Sequence, residues 1–232
     1  MSAAARAWAV HCYTASGLVF ALFAAIEICV PQPDPRRAFL WLFIAVLIDA
    51  TDGPLARRFE VRSVLPQIDG RKIDDIVDYL TFTFLPLLMI ARMGWVPQPV
   101  TLFVAPAMIA SVFGFANAGA KDEARGFFLG FPSYWNVVAF YAGIAAALFG
   151  PWPNAVALLL LAVLTISPVG FIYPNLAPPP WRPAILIGAV VWGGILLAML
   201  PRYPAPPAWL AGVSLLYPVF YAVVSIREYS RR

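Results

Sequence analysis

Residues 38–78 read AFLWLFIAVLIDATDGPLARRFEVRSVLPQIDGRKIDDIVD. An apolar run long enough to be a helix ends in acids, a basic segment follows, and a second acidic helix begins. Asp49 and Asp52 are three apart and Asp74 and Asp78 four apart, so each pair projects from one face of a helix. Gly53 and Ala56 continue the first stripe and Gly70 opens the second. Seven of the twelve acidic residues fall within 49–78. Carboxylates this close do not all stay ionised without cations, and hard cations want oxygen ligands. The spacing therefore implies a divalent-metal site built from two helices.

The rest of the chain says where that site lies. Of 232 residues 62% are hydrophobic and 12% charged, with mean hydropathy +0.78, a composition outside the soluble globular range. An all-α integral membrane protein is expected, since a helix crossing the hydrocarbon needs about 20 apolar residues. Eight spans are predicted, at 7–30, 38–56, 73–91, 98–120, 133–149, 155–174, 183–200 and 208–226, within one domain covering 1–232. Proline-rich turns separate them. The first apolar segment is too long for a cleavable signal peptide. With the amino terminus in the cytoplasm, twelve of the sixteen basic residues, Arg232 included, lie inside, which satisfies the positive-inside rule. The polar cavity then opens on the cytoplasmic side. The net charge of +4 reads as this bias and as affinity for anionic lipid, not as nucleic-acid binding.

Individual residues carry further expectations. Pro54 should bend or loosen the second span beside Asp52 and expose carbonyls. Cys12 and Cys29 have no metal-ligand spacing and read as small packing residues. His11, the lone histidine, reads as a polar cap, and Glu27 has no evident role. A structural ion-pair network of the acids with Arg57, Arg58 and Lys72 is the plain alternative to a site, but intramembrane acids mark function by default.

The string Asp49-x-x-Asp52-Gly53-x-x-Ala56-Arg57, twelve residues, Gly70-x-x-x-Asp74-x-x-x-Asp78 resembles the signature of the CDP-alcohol phosphotransferase family at every position. Its long spacer, together with HCYTASG at 11–17 and GFPSYWN at 130–136, resembles the bacterial phosphatidylcholine synthase branch. The resemblance implies two divalent ions, Mn2+ or Mg2+, held by Asp49, Asp52, Asp74 and Asp78. It also implies CDP-diacylglycerol bound beside Gly53, Ala56, Arg57 and Gly70, Asp78 as general base, and a homodimer. Thr14 stands where relatives carry a threonine near the cytidine; the alternative for a mid-span hydroxyl is a bond to its own helix.

Choline, the acceptor this branch implies, is a permanent cation best met by aromatic faces. Phe131, Tyr134 and Trp135 are the candidates, against the alternative of an interfacial aromatic belt. A phosphorylated acceptor, as for phosphatidylinositol phosphate or phosphatidylglycerophosphate synthases, would call on Arg125 or Arg182. A non-enzymatic cation transporter is the other class of reading.

Overall fold

A computed structural model of the chain describes residues 1–117, 119–122 and 125–231; Arg232 and part of the 121–136 loop lie outside them. The described chain is mostly helical, with helices α1 (Ala3–Cys29), α2 (Pro35–Arg58), α3 (Val61–Val64), α4 (Gly70–Asp78), α5 (Leu85–Arg92), α6 (Thr101–Ala116), α7 (Trp135–Phe149), α8 (Trp152–Thr165), α9 (Arg182–Met199) and α10 (Ala208–Tyr229). A π-helical segment, Tyr79–Phe84, joins α4 to α5 without a break. Each of the eight predicted spans thus contains a helical segment.

Four helical segments, Ala3–Cys29, Pro35–Arg58, Arg182–Arg202 and Ala208–Tyr229, are long and apolar enough to cross a membrane; α6, α7 and α8 are shorter apolar helices. Their outer faces carry large apolar side chains, such as Leu18, Leu22 and Ile26 on α1 and Leu215, Val219 and Val223 on α10. At a spacing of about four these form stripes suited to lipid.

One expectation needs correction. The sixth span was expected to run to residue 174, but α8 stops at Thr165. Pro168 follows, which lacks an amide hydrogen and disfavours helix in the residue before it. Beyond it Gly170–Ile172 forms a strand, β3, antiparallel to β2 (Phe127–Leu129), which pairs in turn with β1 (Lys121–Asp122). A small sheet therefore interrupts an otherwise helical chain. At Pro54, α2 continues to Arg58. The helix is not broken there, although proline leaves the Ala50 carbonyl without its usual donor.

The chain divides into two compact units, Met1–Met93 with Trp135–Ala139, and Gly94–Tyr134 with Phe140–Arg232. In the first, α1 and α2 pack through Phe20, Phe23 and Trp41, the last two with ring centroids 5.0 Å apart, and through a 2.7 Å hydrogen bond between Tyr13 and Thr51 hydroxyls. Asp34 caps α2, accepting from the Arg36 N–H at 3.0 Å. Glu27 finds a partner in Arg37 at 3.8 Å. In the second unit Phe127, Ile172, Ile185 and Val224 form a core, and the Asn154 amide donates to the carbonyls of Trp95 and Ala142 at 2.7 and 2.9 Å.

Candidate metal and nucleotide site

The acids come from two helices of the first unit. Asp49 and Asp52 sit near the end of α2, and Asp74 and Asp78 lie on α4. The connection between them is compact: Val61 and Leu65 pack with Ala7 and Val10 of α1, so the spacer is tied down. Asp69 then starts α4, its carboxylate accepting from the N–H groups of Arg71 and Lys72 at 3.1 and 3.3 Å. An aspartate before a helical run is a readable start signal, and Asp69 carries it in the sequence itself.

Three of the four acids converge. Asp49, Asp74 and Asp78, all half-buried, each offer a carboxylate oxygen within 4.8 Å of the others. Three hard anionic donors at that spacing suit a divalent cation with oxygen coordination, so the residues present fit the ions that the family signature implies. Asp52 stands outside this trio. It is buried and interacts with the Thr14 hydroxyl and the Gly53 N–H.

The other signature positions have identifiable neighbours. A Cβ on Gly53 would meet Nη1 of Arg57 at 3.4 Å, so the guanidinium folds back over the glycine one turn earlier. Ala56 packs against the Ala7 and Val10 cluster. Thr14 is buried and bonds the Val10 carbonyl at 3.3 Å, the back-bond open to any mid-helix hydroxyl, besides meeting Asp52. Gly70 lies against His11: a Cβ there would be 2.9 Å from Cε1 and 3.3 Å from Nδ1. His11 is therefore no helix cap. Ser2 caps α1, and His11 is a buried residue of its interior, a role that no local pattern announces. Cys12 and Cys29 are free and exposed, not packed inside.

The aromatic candidates divide between the units. Phe131 and Tyr134 belong to the second, with ring centroids 6.4 Å apart and nearly perpendicular planes. Trp135 is the first residue of α7, fully buried, and belongs to the first unit.

A helical chain with membrane-length apolar helices, and a carboxylate trio drawn from the end of one of them and from the short α4, defines a polytopic membrane protein with a candidate metal centre. No model of a known protein family matches the chain. Individual relatives do. A phosphatidylcholine synthase of Pseudomonas aeruginosa is 36% identical over 201 residues, 85% of this chain and 82% of that protein. One of Rhizobium meliloti is 32% identical over 210 residues, 90% and 85% of the two chains. Another, of Legionella pneumophila, is 39% identical over 171 residues, 73% and 65%. The chain belongs to the bacterial phosphatidylcholine synthase family.

Proposed function

We propose that the protein transfers the phosphatidyl group of CDP-diacylglycerol to choline and releases CMP. The observation that carries this reading is the convergence of Asp49, Asp74 and Asp78 within 4.8 Å, in a chain whose relatives bear the name phosphatidylcholine synthase. Asp49, Asp74 and Asp78 would hold divalent cations, with Asp52 joining them from one turn along α2. Bound there, Mn2+ or Mg2+ supplies the positive charge that phosphoryl transfer demands as CMP departs.

The remaining steps belong to the chain. Arg57, a planar fork of donors, suits a phosphate oxygen, and Gly53 leaves the backbone open beside it. Ala56, Gly70 and Thr14 border the nucleotide. Asp78 accepts the proton of the choline hydroxyl as its oxygen bonds to the β-phosphorus and the bond from that phosphorus to CMP breaks. Phe131, Tyr134 and Trp135 are assigned to the quaternary ammonium, for which aromatic faces are the fitting partners. The chain forms a single domain that crosses the inner membrane eight times, with the site facing the cytoplasm, and works as a homodimer. The distribution of basic residues supports this orientation.

The test is CMP release by purified protein given CDP-diacylglycerol, Mn2+ and choline, serine, inositol, inositol phosphate or glycerol 3-phosphate in turn. Choline should be the productive acceptor. Transfer to inositol phosphate with none to choline would remove this assignment. Asp49→Ala, Asp74→Ala and excess EDTA should each abolish release from folded protein; near wild-type release in any of the three would remove the metal reading.

A further inference from the structure

Of the two helices that carry the acids, α4 makes two reciprocal contacts with α1. At the first, the bulky residue is on α1 and the glycine on α4: His11 lies where a Gly70 side chain would be, 2.9 Å from the ideal Cβ. At the second the order is reversed, and a Cβ on Gly17 would meet Cγ1 of Val77 at 2.6 Å. Both distances are too short for a real side chain, so neither glycine tolerates even a methyl group unless its partner moves. Neither partner moves easily. His11 and Val77 are both buried, and the β-branched Val77 has essentially one rotamer in a helix.

The two contacts agree with each other geometrically. His11 to Gly17 is six residues, about 9 Å of helix, and Gly70 to Val77 is seven, about 10.5 Å, so parallel α1 and α4 meet at both points without sliding. Between them, on α4, stands Asp74, and Asp78 follows Val77 directly. Between them on α1 stands Thr14, which meets Asp52. His11 is held by packing: its Nε2 is buried and finds no hydrogen-bond partner among the described residues, an arrangement that costs desolvation and is explained if its volume is what matters.

We infer that His11 and Gly17 are positioning residues, which fix the axial register of α4 so that Asp74 and Asp78 meet Asp49. The bulk of His11 is then sufficient reason for a glycine at 70, beside any part that Gly70 has in bordering the nucleotide. The inference rests on the metal reading of those acids but is separable from it.

Two double-mutant cycles test it. Gly70→Ala and Gly17→Ala should each lower CMP release about 10-fold or more, within the range for coupled residues in contact, with a raised Mn2+ concentration for half-maximal rate and an unmoved KM for choline. Adding His11→Ala to Gly70→Ala, or Val77→Ala to Gly17→Ala, should restore most of the loss and bring the metal requirement back. Losses that simply add, or full activity in Gly70→Ala, would overturn the inference; rescue failing only at Gly70 would return that glycine to the nucleotide. If wild-type protein releases no CMP with any acceptor, the functional reading fails instead. The same cycles are then read in the thermal unfolding midpoint, where reversal supports the register contacts and additivity overturns them.

Discussion

At the scale of single residues, Asp78 carries the sharpest expectation. Asp78→Asn keeps the shape and removes the proton acceptor, so kcat should fall about 100-fold or more while CDP-diacylglycerol binding changes little. A raised KM for CDP-diacylglycerol at unchanged kcat would leave it a ligand alone and remove its role as base. Asp34 offers a second test, far from the chemistry. The Arg36 guanidinium, hydrogen-bonded to it at 3.0 and 3.1 Å, holds its carboxyl below the usual carboxylate range. A depressed group stabilises the fold above its unfolded value, about 3.9, and ceases to do so as pH falls through the lower folded one. Asp34→Ala should therefore cost about 1 kcal/mol at pH 7 as a lost helix cap. In thermal unfolding, the gap to wild type should close as pH drops below about 4. The four site acids were legible because spacings of three and four name a helix face directly. The partners of His11 and Glu27 were not, because nothing local in the chain signals a contact between positions 11 and 70, or across the turn from 27 to 37.

Elements were legible wherever hydrophobicity ran long enough. Each of the eight apolar segments holds a helix, since a continuous run needs only its length to be read, but the sixth ends early at Thr165. Strands of two and three residues have no period to detect, and the sheet formed by β1, β2 and β3 escaped notice for that reason. Between helices, polar side chains bond where hydropathy sees only a span. The Trp192 N–H donates to the Tyr141 hydroxyl at 3.1 Å, and that hydroxyl donates to Ser214 at 3.0 Å, linking α9, α7 and α10. Tyr141→Phe removes both bonds and leaves the indole without its acceptor. A loss of about 1 kcal/mol, typical of polar contacts inside membrane proteins, is expected in SDS-induced unfolding, and an unchanged midpoint would show that the chain of bonds contributes nothing.

For the molecule as a whole, acceptor choice is the property that aromatic faces would decide. If the Tyr134 ring faces a quaternary ammonium, Tyr134→Ala should raise the choline KM by about 2- to 30-fold, the equivalent of about 0.5–2 kcal/mol of cation attraction, with less effect on CDP-diacylglycerol. Ethanolamine should be the poorer acceptor, since its ammonium must lose water without matching partners. Equal losses toward both substrates would mark Tyr134 as a membrane anchor. The π-helical segment Tyr79–Phe84 bears on how this chain is compared with others. Each i to i+5 turn takes up one residue more than an α-turn, so the angular phase slips by about 100° directly after Asp78. A face traced from Gly70 through Asp78 cannot be extended into Leu85–Arg92. A one-residue gap between 79 and 84 in an aligned relative would signify a switch from π to α winding, with the acids in place and everything beyond them turned.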